Sequence, residues 1–169
     1  MTSLPSKLSH RCAALALVSL LALGTAAFAA DTAPAASPAA AAAAEKLAAA
    51  RKLIAESKWL EAIAALRQVN DSGSADWNNL MGYSHRKAKV PDYAKAEQYY
   101  NEALRIEPQH RGALEYSGQL YLNLNDLARA EARLAALDKA CTFGCEEYTD
   151  LKNAIAAYKA NGNKLSAKP

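Results

Sequence analysis

Apolar residues in the middle of the chain recur at helical spacing. Tyr93, Ala96, Tyr100, Ala103 and Leu104 fall on one face of a 3.6-residue period. The same face returns at a fixed interval. Trp59, Tyr93 and Leu127 stand 34 residues apart, as do Ala62, Ala96 and Ala130, then Leu66, Tyr100 and Leu134, then Val69, Ala103 and Leu137. Four columns in one register define three copies of a repeated helix rather than three unrelated amphipathic helices. The small residue of the second column lets another helix approach closely.

Each of these helices is preceded by a second one. Gly82 sits among Trp77, Leu80 and Met81, and Gly118 among Leu114, Tyr121 and Leu122; Ala50 fills the place in the first unit. A glycine inside a helix costs about 1 kcal/mol against alanine, so its recurrence predicts close packing against a neighbour. Gly82 and Gly118 are 36 residues apart, which puts two extra residues into the segment Lys87–Asp92 between the paired helices of the middle unit. Pro91 is expected to open the second helix of that unit and Glu107-Pro108 to close it. Beyond the third unit, Tyr148, Leu151, Ile155 and Tyr158 share one helical face. Glu146, Glu147 and Asp150 fall in the first turn and Lys159 in the last, as the helix dipole favours. Asn161-Gly162-Asn163 predicts the end of that helix, and the polar tail 161–169 is expected to be disordered.

A helix–turn–helix unit with this period resembles the tetratricopeptide repeat family. The middle unit carries Trp77, Gly82, Tyr93, Ala96, Tyr100, Ala103 and Pro108; the third carries Leu114, Gly118, Tyr121, Asp126, Leu127, Ala130 and Leu137. In the first unit Ala50 replaces the glycine and no proline closes the pair. The resemblance covers residues 43–142 and implies an all-α solenoid of three repeats. The amphipathic segment 143–160 then reads as a capping helix that covers the exposed end of the array.

The N-terminus changes the charge and the compartment. Lys7 and Arg11 precede an apolar run, Cys12 to Leu23, and Ala27-Phe28-Ala29 fits a signal-peptidase site, so residues 1–29 read as a cleaved signal peptide. The competing reading is an uncleaved anchor, since Cys12 to Ala30 gives 19 uncharged residues. Its second half is weakly hydrophobic Ala, Gly and Thr, which favours cleavage and a periplasmic or secreted protein. Residues 30–42, rich in Ala and Pro, form a linker. The full chain of 169 residues has a net charge of +3, but the signal holds two bases and no acid, so its removal takes 20 bases to 18 against 17 acids. That balance excludes a strong field for nucleic acid or for an anionic membrane. Only Cys141 and Cys145 survive cleavage, in an oxidising compartment, and the pair is expected to form a structural disulfide.

No catalytic constellation is found: G-x-S-x-G, the Walker loop, G-x-G-x-x-G, H-E-x-x-H and C-x-x-C-H are all missing. An enzyme is not expected, nor a cofactor or metal; two thiols beside Glu146 and Glu147 make a poor zinc set. His85 reads as a partly exposed helix residue and His110 as a loop or cap residue. Tyr93, Tyr100, Tyr121, Tyr148 and Tyr158 occupy packing columns, whereas Tyr83 and Tyr116 fall off them.

In the family the first helices line a concave face. The resemblance therefore implies a groove presenting Arg51 from the first repeat, Asn79, Tyr83, Arg86 and Lys87 from the second, and Glu115, Tyr116, Gln119 and Asn123 from the third. Tyr83 and Arg86 are expected to be exposed there. Such a surface suits an extended peptide or a partner helix. The family's clamp for C-terminal carboxylates is not supported, because only Asn79 and Arg51 come near its residue set. The expected function is a non-enzymatic, monomeric adaptor that binds another exported or envelope protein. The alternatives are a self-associating structural component of the envelope and a redox or metal-handling accessory using Cys141 and Cys145.

Overall fold

The structure, a computed structural model, describes residues 45–165. The expected signal peptide, the linker, residues 43–44 of the first repeat and residues 166–169 of the tail lie outside the described residues. Within them the backbone forms seven helices and no strand: α1 Ala48–Ala55, α2 Trp59–Val69, α3 Ala75–Lys87, α4 Tyr93–Ile106, α5 Arg111–Asn123, α6 Leu127–Ala140 and α7 Glu146–Ala160. The first six pack as successive pairs. Each second helix also rests on the first helix of the next pair, and α7 lies against both α5 and α6. The first helices touch one another, α1 with α3 and α3 with α5. The architecture is all-α, a stack in which each pair contacts only its neighbours.

Local chemistry sets the helix starts. The side chains of Asp92 and Asp126, one repeat apart, accept hydrogen bonds at 3.0 Å from the backbone N–H of Lys95 and Arg129. They are the N-caps of α4 and α6. The first unit has Lys58 at this place, which offers no side-chain acceptor. Pro91 therefore does not open α4. It precedes the cap, because the aspartate meets the unpaired N–H groups of the first turn.

The turns explain the two extra residues. In the first and third units, the N–H of Lys58 and of Asp126 each donate at 2.8 Å to a carbonyl five residues back, on Leu53 and Tyr121. Both turns pass through a left-handed residue, Ser57 at φ 58° and Asn125 at φ 57°. The place between them in register is Pro91, whose ring holds φ near −65°. The middle unit cannot make the same turn. Its Asp92 N–H reaches the His85 carbonyl at 3.1 Å, seven residues back, around a longer loop.

Apolar burial runs through the stack as three clusters. Leu47, Ala50, Ile63, Leu66, Trp77 and Met81 form the first; Ala75, Ala96, Tyr100, Ala103, Ala113 and Leu120 form the second. The third joins Leu114, Tyr121, Leu122, Ala130 and Leu137 to Leu151, Ile155 and Tyr158 of α7. The Trp77 indole N–H donates to the Leu66 carbonyl at 2.7 Å and ties the first pair to the second. The Tyr158 hydroxyl donates to Asn125 at 3.2 Å and ties α7 to the turn of the third. The two helix glycines meet different neighbours. A Cβ on Gly82 would lie 2.7 and 2.8 Å from carbons of the Tyr100 ring and 3.1 Å from the Ala96 carbonyl oxygen. A Cβ on Gly118 would meet the Leu151 side chain of α7, from 2.5 Å. Between α6 and α7, Cys141 and Cys145 have Cα atoms 5.7 Å apart and sulfur atoms at bonding distance.

Two outcomes test this packing. Gly82→Ala should lower stability by about 1–3 kcal/mol in spite of alanine's better helix propensity, because a rigid ring and a backbone oxygen must move. Gly118→Ala should cost less, since the groups in its way are the methyl ends of one leucine. Thermal unfolding of both variants reads the order, and an equal or reversed order would refute the assigned contacts. Thiol titration of unreduced, denatured protein should find Cys141 and Cys145 both blocked.

Candidate partner-binding face

The first helices α1, α3 and α5 share one side of the stack, and their polar residues are more deeply placed than the sequence suggests. Arg86 is only 9% exposed, Asn79 7% and Glu115 6%; Tyr83, Tyr116, Gln119 and Arg51 are half-buried, and Lys87 is exposed. The expectation that Arg86 and Tyr83 stand exposed is corrected. The reason lies in the register of the first helices, which is fixed by Ala50, Gly82 and Gly118. In that register Arg86 shares a column with Ile54 and Leu122, and Asn79 and Glu115 share one with Leu47. Leu122 and Leu47 are both fully buried.

His85 is corrected by the same register. It stands in the column of Leu53 and Tyr121 and is 7% exposed, not partly exposed as expected. Its ring stacks on Tyr99 with centroids 5.6 Å apart, and burial lowers its pKa. Its Nε2 has no hydrogen-bond partner among the described residues.

Five of the expected residues form one network. The Arg86 guanidinium donates to the Gln119 carbonyl oxygen at 3.0 Å, and the Gln119 amide donates to Glu115 at 2.7 Å. Arg86 lies 5.4 Å from the Tyr83 ring centroid and 5.8 Å from that of Tyr116, and those two rings are 4.5 Å apart. The cation thus lies over two adjoining aromatic rings, one from each of two repeats. Its Nε also donates to the buried Tyr100 hydroxyl at 3.4 Å. Trp59 meets the edge of Tyr83 at 5.8 Å and extends the aromatic row toward the first pair.

Arg51 and Asn79 stand apart from this network. Arg51 donates at 2.8 Å to Asp76, whose other oxygen accepts from His110 Nε2 at 3.0 Å. His110 Nδ1 accepts the Ala113 N–H at 3.1 Å, so one imidazole caps α5 and binds α3 together. The His110 hydrogen bond, with help from Arg51, holds the Asp76 carboxyl below the usual range. A chain of polar contacts therefore crosses all three first helices. The Asn79 amide lies against Gly112, whose absent side chain leaves it room; its carbonyl oxygen is buried without a partner among the described residues. Two open hollows border the face. One, of about 300 Å³, is lined by Asp76, Glu107, Gln109, His110, Arg111, Gly112 and Glu147. The other, of about 520 Å³, is lined by Ile54, Ala55, Ser57, Trp59, Tyr83 and Lys87. Sequence reasoning missed Asp76, His110 and Trp59 as members of this region. The capping geometry of His110 and its 34-residue distance from Asp76 carried a signal for two of them.

Glu115 is the electrostatic outlier. Burial, with Asp150 of α7 nearby and Arg86 only partly offsetting, pushes its carboxyl up to about 7. The neighbouring Tyr116 hydroxyl is pushed up to about 12, again first by burial. A carboxyl raised in the folded state binds more protons there than in the unfolded chain between about pH 4.5 and 7. Its contribution to stability is therefore present at low pH and lost as pH rises through 7. Denaturant titrations across that range should show wild-type stability declining, and Glu115→Gln should flatten the decline and be the more stable form above pH 7. Parallel pH profiles for the two would show that Glu115 is not raised.

Residues 91–155 match the family model described as tetratricopeptide repeat. No curated protein sequence matches the chain. The matched span runs from the turn before α4 through the third pair and into α7, and the helices upstream repeat its columns. Stacked helix pairs in this register, joined to that match, support a protein of the tetratricopeptide-repeat family.

Proposed function

We propose that this chain is a non-enzymatic adaptor that binds a peptide or helix of an exported or envelope protein across the face of α1, α3 and α5. Tetratricopeptide repeats generally mediate protein–protein interaction. The observation that carries the finer reading is the set of buried polar residues in first-helix columns that are apolar in at least one other repeat. Arg86 replaces Ile54 and Leu122, and Asn79 and Glu115 replace Leu47. Burying such groups is costly for stability, and a sequence breaks its own packing rule chiefly where function requires it. Arg86 over two adjoining tyrosines offers a fixed cation, and the aromatic row offers contact area. Because the network is held by its own hydrogen bonds, little ordering is needed when a partner arrives. The N-terminal pattern of charge, apolar run and Ala27-Phe28-Ala29 supports export.

Site-specific photocrosslinking in cells tests the reading. A crosslinker at Lys87, beside the face, should trap a defined protein, and the adduct should be lost in Arg86→Gln. The same crosslinker at Gln98, exposed on α4, should trap nothing comparable. Equal trapping from both positions, or an adduct indifferent to Arg86, would remove the face from the function. Fractionation of the same cells reads the compartment.

A further inference from the structure

Three arginines belong to the first helices, and two of them meet an acid. Arg51 donates to Asp76 at 2.8 Å, and Arg111 stands 3.8 Å from Glu147. Arg86, the most buried of the three, meets no carboxylate among the described residues. A cation placed so deeply is ordinarily paired. Its Nε and Nη2 are engaged, by the Tyr100 hydroxyl at 3.4 Å and by Gln119 at 3.0 Å. Its Nη1 makes no hydrogen bond among the described residues, and it is not one of the polar atoms buried without a partner, so this end of the guanidinium still reaches solvent. The hydroxyls of Tyr83 and Tyr116, whose rings lie under the guanidinium, also have no hydrogen-bond partner among the described residues. One cluster of side chains on the middle of the face thus keeps donors without acceptors.

The acid of the network does not supply the missing charge. Glu115 reaches Arg86 only through Gln119. The charged groups that face Glu115 are Arg86 of α3 and, from α7, Asp150, Glu147 and Glu146. Burial and Asp150 together outweigh Arg86, and the Glu115 carboxyl is pushed up to about 7. Below that pH the guanidinium stands without a compensating charge. Its planar fork matches a carboxylate or a phosphate. The acids of α7 around Glu115 penalise a doubly charged phosphate more than a singly charged carboxylate. The position of Arg86 narrows the source. It stands on α3, the middle one of the three first helices, so a segment that crosses the face brings a side chain to it rather than a chain end.

Given the adaptor function proposed above, on which this rests, we infer that a carboxylate side chain of the partner segment docks on the open end of the Arg86 guanidinium. Glu115 sets the pH range in which the site accepts it. Protonated, Glu115 leaves Arg86 as the charge of the site; ionised, it places a second carboxylate close to the incoming one. The incoming carboxylate makes Glu115 hold its proton more tightly. Docking therefore takes up a proton near pH 7 and weakens as the pH rises through that value.

Titration of the purified, unreduced protein with a blocked alanine pentapeptide carrying one central glutamate tests this, read at the Arg86 Nε–Hε NMR resonance. At pH 6 the resonance should move saturably with the glutamate peptide and stay in place with its glutamine counterpart. At pH 8 the affinity for the glutamate peptide should be weaker by about threefold or more. Glu115→Gln should bind the peptide equally at both pH values. Phe143→Ala, which alters a side chain 100% exposed between Cys141 and Cys145 and outside α1, α3 and α5, should bind as the wild type does. A resonance indifferent to the glutamate peptide would overturn the proposal, as would an equal response to the glutamine peptide or an affinity that rises with pH. Tighter binding of inorganic phosphate, or of an alanine pentapeptide whose single carboxylate is its C-terminus, would overturn the assignment to a carboxylate side chain. An Arg86-dependent crosslink from Lys87 without peptide binding would sink this inference and leave the adaptor reading standing; peptide binding without any crosslinked protein would do the reverse.

Discussion

The close approach of α3 to α4 at Gly82 is the constraint on which the middle of the molecule depends. The Tyr100 ring occupies the space that any side chain at position 82 would need, and the Ala96 backbone closes it from the other side. That contact buries the Tyr100 ring completely and leaves its hydroxyl near Arg86. The hydroxyl is one of the groups that hold the guanidinium over the Tyr83 and Tyr116 rings. A packing requirement of the repeat is thereby converted into the placement of a charge on the first-helix face. The third pair solves the same problem differently. There the glycine column faces Leu151, so α7 supplies what a second helix supplies in the middle unit.

The polar residues of the face carry a tension between stability and recognition. Arg86 and Glu115 are both buried, opposite in charge and linked through Gln119 rather than directly. Burial, with Asp150 nearby and Arg86 only partly offsetting, is why the Glu115 carboxyl titrates high. An aliphatic pair in these columns would pack without such a penalty, as Leu47 and Leu122 do.

Much of the fold was legible because a fixed period makes each unit a check on the others. The second-helix columns at 34 residues located α2, α4 and α6, and the apolar face of α7 was equally plain. Helix starts were less accessible, since Pro91 and Asp92 both carry start signals and only the capping hydrogen bond separates them. The candidate residues lie on the first helices, as the repeat implies, but deeper than their polarity suggests. Residues were assigned to solvent from their own polarity, one unit at a time. Extending the Ala50, Gly82 and Gly118 register to its neighbours would have put His85 with Tyr121 and Arg86 with Leu122, and so inside. The exposure of Phe143 could not be read at all, because a loop of five residues has no periodicity to betray it.

The neighbours-only packing also ranks the parts of the molecule by how readily they open. Among the described residues the first pair shares one interface with another pair, through α2 and α3. The second pair shares two, and the third has one toward the second pair and another toward α7. Local unfolding in such a stack costs roughly the sum of the interfaces it breaks. Among the three pairs, backbone amides of α1 and α2 accordingly sit lowest on the ladder of opening free energies, and those of the second and third pairs sit higher. The hollow at Trp59 and Tyr83 straddles that step, with one wall in the least protected pair and the other in a better protected one.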